Sequence, residues 1–271
     1  MTHEFVTRMN ERESMAFINE RFDESMAVLR QPISAYSSSS SAGIPDTDTL
    51  NAAVLNSTMV AFPEGMKRRH KRIIKRTFLF ADLTAQIKYP HPKDAALRLD
   101  YMLKGLNAMG WAHLSKPTIS EASSSTSVTM SNVVLDIIGA AIGGVGGTVG
   151  AAMKLGADAA IKGLKENKEA LKLYEKNGKK ADGSNFGVMS AAESKDDDVY
   201  LVVGAVHYTM ASGNAHYAFF EHTTSSFSMV KGHGVFTMFA EEDFTPRKEA
   251  KADEFYATVH AALELEFGIR S

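Results

Sequence analysis

Nine histidines and no cysteine limit the chemistry this 271-residue chain can carry. Without a thiolate there is no cysteine nucleophile, disulfide, Cys-ligated zinc or S-acylation. Histidine remains as the acid–base and metal-binding side chain. His207, His216 and His222 fall in two β-branched and aromatic runs. A hairpin closing around Ser212-Gly213 puts all three on one face, with His207 and His216 diagonal neighbours within about 8 Å. His222 then lies too far along to complete a ligand set. The expectation is an amphipathic sheet face and no metal. His233, between Gly232 and Gly234, reads as a turn residue.

The second chemical feature is the run Lys67-Arg68-Arg69-His70-Lys71-Arg72, continued by Lys75 and Arg76. It opens a helix, where cations oppose the macrodipole, so anions are needed nearby. The candidate anion-binding residues are Arg68, Arg69, Lys71, Arg72 and Lys75. Anionic lipid headgroups or nucleic-acid phosphates would serve. So would acids of the chain itself, such as Asp196 to Asp198. No nucleic-acid motif accompanies the run, and a net charge of −2 gives no global field towards a polyanion. Nucleic acid is therefore not the expected partner. Enzyme motifs are missing: Gly143 to Gly150 departs from G-x-G-x-x-G at Val149 and lacks a Walker lysine, and neither G-x-S-x-G nor H-E-x-x-H occurs.

The third feature is apolar. Between Val133 and Met153 the only charge is Asp136, and six glycines lie between Gly139 and Gly150. Gly139, Gly143 and Gly147 recur every fourth residue, which places them on one helical face. Ile138, Ile142, Val145 and Val149 make the bulky remainder. Each glycine costs a helix roughly 1 kcal/mol relative to alanine, so close packing must compensate. Two readings follow. One is a buried helix whose small face lies against a neighbouring backbone or a second copy of the chain. The other is a segment that enters a bilayer, at the lower edge of the ~17–25 residues that span one.

These residues need elements to hold them. A helix is expected from Glu11 to Arg30 on Met15, Ile18, Phe22, Met26 and Leu29. Ser37 to Ser41 reads as a linker. Helices are expected from Asp48 on Leu50, Val54, Met59 and Phe62, then from Met66 to Lys88, then from Asp94 to Met109 on Leu97, Tyr101, Leu103 and Leu106, with Gly110 as cap. Ser115 to Met130 reads as an edge strand or extended loop. Val199 to Met210 and Ala215 to Thr224 form one hairpin; Phe227 to Val230 and Val235 to Ala240 form another around Gly232-His233-Gly234. Pro246 starts the last helix. The chain thus reads as a single α+β domain over 1–271: an N-terminal helix in 1–35, a Ser-rich linker in 36–46, helices in 47–112, a central glycine-rich apolar and then Lys-rich helix in 131–177, an antiparallel β-meander in 185–240 and a C-terminal helix in 246–267.

The string Ile137-Ile-Gly-Ala-Ala-Ile-Gly-Gly-Val-Gly-Gly-Thr-Val-Gly150 resembles the glycine-zipper helices of membrane-active bacterial toxins and secreted effectors. The order of elements also looks like the Evf type of insect-directed virulence factor, an α/β protein that carries a fatty acyl chain; its acylated cysteine has no counterpart here. The resemblance implies a membrane-active or lipid-binding bacterial virulence or antagonism protein, with a fatty acid or lipid as the bound species. The alternative is a soluble binding or structural protein that uses the small face for packing or oligomerisation. An enzyme whose site no motif reveals is the third class. The N-terminus has no basic-then-apolar signal pattern. The expected location is the bacterial cytoplasm, with any secretion by a route other than an ordinary signal peptide.

Overall fold

The computed structural model describes residues 8–29, 51–91, 94–115, 118–122, 129–143, 147–180, 183–210 and 227–268. The fold is α+β. Seven helices and nine strands lie among these residues: α1 Glu11–Leu29, β1 Asn51–Leu55, β2 Thr58–Phe62, α2 Arg68–Lys88, α3 Ala95–Ala108, β3 Trp111–His113, β4 Thr118–Ala122, α4 Met130–Ile142, α5 Gly147–Glu166, α6 Lys168–Gly178, β5 Lys179–Lys180, β6 Gly183–Glu193, β7 Val199–Met210, β8 Phe227–Phe239, α7 Pro246–Leu263 and β9 Glu264–Gly268. The strands form one sheet in the order β3-β8-β7-β6-β2-β1-β9, with β4 also on β8 and β5 on β6. One face packs on α1, α2, α3 and α7, the other on α4, α5 and α6.

The expected antiparallel meander is present as β6, β7 and β8, and it belongs to a larger sheet that is mixed. β2 joins β6 in parallel, with Thr58 opposite Gly187. The helix expected from Asp48 is instead the β1–β2 hairpin, with Leu55 paired to Thr58. Both faces of these strands are buried, so their apolar residues fit a helical spacing as well as a strand's. The turn residue Asn56 settles the matter: its φ is +58°, a left-handed conformation that asparagine tolerates better than most residues.

Three further expectations change. Gly232-His233-Gly234 is not a turn; β8 runs straight through it. The last helix stops at Leu263, and Phe267 belongs to β9, paired with Ala52. The glycine-rich segment is two helices rather than one. α4 ends at Gly143, with φ +53°, and α5 starts at Gly147, with φ +44°. The Ser-rich linker and residues 215–224 lie outside the described residues.

The tight packing that the glycine helix was expected to need is supplied by the sheet. Gly204 and Gly234 face each other on β7 and β8. A Cβ on Gly234 would lie 2.8 Å from both the Ala141 Cβ and the Ile137 carbonyl oxygen, and one on Gly204 would lie 3.2 Å from the Ile138 Cγ1. The bulky side of α4 therefore settles onto bare strand backbone. On the helix itself, a Cβ at Gly143 or Gly147 would meet nothing within 4 Å, and one at Gly139 only the Lys154 side chain. Gly234→Ala is accordingly expected to cost about 1–3 kcal/mol in chemical denaturation. Gly143→Ala, which meets open space but keeps a backbone conformation that favours glycine, φ +53° and ψ −144°, is expected to cost about 1–3 kcal/mol through strain alone. A loss at Gly139→Ala, where the helix is regular, as large as that at Gly234→Ala would restore the packed glycine face.

Candidate ligand site

The register places Thr58, Gly187, Ala205 and His233 in one row across β2, β6, β7 and β8. All four lie on the face shared with Val60, Met189, Val203 and Val235, under α2 and α3. Gly187 and half-buried Ala205 leave the middle of the row low. Above it, α2 contributes Phe78 and Asp82, one turn apart, and α3 contributes Ala95, Arg98, Leu99 and Met102, one helical face. Between floor and roof lies a cavity of about 50 Å³, bordered also by Ser57 and by His207, diagonal to His233.

Small as it is, the cavity gathers buried polar groups from five elements. Arg98 is 7% exposed, Asp82 6%, His207 6% and His233 7%. Asp82 accepts a hydrogen bond from the Asn56 Nδ2 at 2.8 Å. Arg98 donates from Nε and Nη2 to one acceptor, the Tyr89 carbonyl oxygen, at 3.3 and 3.2 Å. Burial lowers the Arg98 pKa, and the fields of Asp82 and Asp94 oppose that shift. Among the described residues no carboxylate oxygen lies within 4 Å of its guanidinium. A buried guanidinium stays ionised, and it is costly when not paired.

The apolar spacing predicts Leu97 and Tyr101 on the buried face of this helix. Leu97 is instead 47% exposed, and Arg98, Leu99, Met102 and Leu106 are the buried row. The signal was present: Arg98 stands four and eight residues before Met102 and Leu106, a core position occupied by a cation. His207 lies on β7, the strand expected for it, and its described diagonal neighbour is His233; His216 and His222 lie outside the described residues. No trio of His, Asp or Glu able to hold a metal occurs among the described residues.

The basic start of α2 is met by acids of the chain. Lys67 lies 2.5 Å from Asp197, Arg69 2.6 Å from Glu241 and Arg72 3.7 Å from Glu249. His70 Nδ1 lies 3.0 Å from Glu193, and Arg76 pairs with Asp253. Lys71 Nζ lies 6.0 Å from the centre of the Phe62 ring. Lys75 sits between Glu264, at 2.8 Å, and Glu266. Burial alone would lower the Lys75 pKa, but the two carboxylates outweigh it and hold it above the ordinary lysine value. Burial and the neighbouring Glu264 likewise push the Tyr256 phenol up, and its hydroxyl donates to Glu264. This cluster fastens α2 and α7 to the edge strand β9.

The remaining predicted residues do not converge on a site. Ile138 and Ile142 are buried against the sheet side of α4, and Val149 is half-buried. Val145 lies outside the described residues. Gly139, Gly143 and Gly147 line a shallow surface hollow with Gly150 and Lys154. No helix among the described residues is long and apolar enough to cross a membrane.

Lys75→Met should cost about 3 kcal/mol in a denaturant melt, because it leaves two partly buried acids facing each other. Arg69→Gln and Arg72→Gln, at exposed pairs, should each cost less than about 1 kcal/mol. Lys75 and Tyr256 both hold their protons more tightly in the folded state. Their contribution is complete below the unfolded values near 10 and is lost as pH rises beyond them. Stability should therefore fall above about pH 10, and less so in Lys75→Met. A flat alkaline profile in the wild type would contradict this account.

No protein-family model matches the chain, and no curated protein matches it. Among solved structures it is similar to the Evf virulence factor, at 12% identity over 75% of this chain and 82% of that one, with a TM-score of 0.35.

Proposed function

We propose that the protein binds a small amphipathic ligand in the cavity between the α2–α3 roof and the central strands, the lipid-directed side of the expectation drawn from its sequence. One observation carries this reading: a cation and five other buried polar side chains, Ser57, Thr58, Asp82, His207 and His233, converge on a space whose remaining walls are apolar, Phe78, Leu99, Met102 and Val203 among them. Concave sites with apolar walls and a few converging polar groups are where small molecules bind. Ala205, low in the floor, offers the test. Ala205→Val fills the space with two methyl groups and should abolish ligand-induced shifts of a 13C-labelled Met102 methyl while leaving the melting temperature within a few degrees. A ligand that binds this variant as well as it binds the wild type does not occupy the cavity.

A second reading, membrane activity of the α4–α5 segment in a bacterial virulence or antagonism protein, is favoured by a separate observation. The glycine row is uncovered, and the two helices meet at an elbow of left-handed glycines. On this reading the helices swing apart at the elbow and lay the bulky side of α4 into a bilayer. Purified protein should then release dye from lipid vesicles. Wild-type protein that releases none at any pH or lipid composition removes the reading.

A further inference from the structure

We infer that the occupant of the cavity presents a carboxylate to Arg98, an inference that rests on the ligand-binding reading above. A guanidinium carries five N–H donors in a planar fork. Here the Nε–H and one Nη2–H share the Tyr89 carbonyl. The opposite edge, formed by Nη1 and the second Nη2–H, is the edge that grips a carboxylate with two parallel hydrogen bonds. Arg98 borders the cavity, is 93% buried by its 7% exposure, and has no carboxylate within 4 Å among the described residues. Removing a cation from water to such a place is offset only when an anion meets it.

Charge and size narrow the class. Asp82 borders the same cavity and acts on Arg98 through space. A dianionic phosphate would set two charges against Asp82, a carboxylate only one. A cavity of about 50 Å³ holds roughly four water-sized groups at about 10–15 Å³ each, room for a carboxylate and one or two carbons but not for a phosphate ester. Leu99, Met102 and Val203 receive those carbons. Two sources share this chemistry: a short-chain acid enclosed whole, and a longer acyl chain whose carboxyl end enters while its tail stays outside.

The test compares each acid with its own neutral amide on the wild-type protein: propionate with propionamide and octanoate with octanamide, by titration calorimetry and the 13C-methyl signal of Met102. At least one acid should bind ten-fold or more tightly than its amide. Binding of propionate marks the enclosed short acid; binding of octanoate alone marks the emerging chain. Arg98→Gln, checked for folding by circular dichroism, should lose the preference, and Arg98→Lys should keep part of it. An amide that binds as tightly as its acid, or a folded Arg98→Gln that keeps the preference, overturns the inference and leaves the cavity reading standing. If no member of either pair moves the Met102 signal, the cavity reading falls and the inference with it. The acid–amide comparison needs no variant, so a misfolded Arg98→Gln does not blunt it.

Discussion

Asn56 holds the molecule together at one turn. Its backbone N–H donates to Leu263 at the end of α7, 2.7 Å away, and its carbonyl accepts from the Asn177 side chain in α6 at 3.2 Å. Its side chain donates to Asp82 of α2, and the next residue, Ser57, accepts from the backbone of Gly187 on β6 at 3.0 Å. A two-residue turn thereby joins both helical layers to the sheet. The turn is buried, where each polar group left without a partner would cost about 1–3 kcal/mol, so the four connections depend on one another. The floor of the cavity depends on them too, because the Ser57–Gly187 bond sets the register that lines Thr58 up with Gly187, Ala205 and His233.

Glycine does opposite work in the two places where it is concentrated. In β7 and β8 it removes side chains so that α4 can lie close to the sheet. Between α4 and α5 it supplies backbone angles that other residues resist. A four-residue spacing suggests one helix with a small face, but spacing records only which residues would align if the helix continued. Gly143 and Gly147 are as well suited to ending a helix as to packing one.

Much of the architecture was legible in the residues. Helices α1, α2, α3 and α7 and strand β7 announce themselves by period, caps and prolines, as in Gly110 after α3 and Pro246 at the start of α7. What was hidden is what burial on both faces erases. β1 and β2 have no alternation because neither side meets water. β9 is short, and Phe267 continues the apolar spacing of α7. The site was legible only in pieces: Arg98 in an apolar row, His207 on a clear strand. The sequence cannot show that they meet, because that follows from a strand order in which β2 lies beside β6.

That strand order has a consequence for how the chain is made. The β1–β2 hairpin emerges early, yet its partner on one side is β6 and on the other β9 at the far end of the described chain. Until both have been synthesised, two apolar strands stand with open edges, the arrangement most prone to join a neighbouring chain. The hairpin can dock on β6 before β9 exists, but its β1 edge stays open until then, and that closure joins residues as far apart as Asn51 and Gly268, which slows completion of the sheet. Loss of β9 would therefore expose β1, the first strand among the described residues.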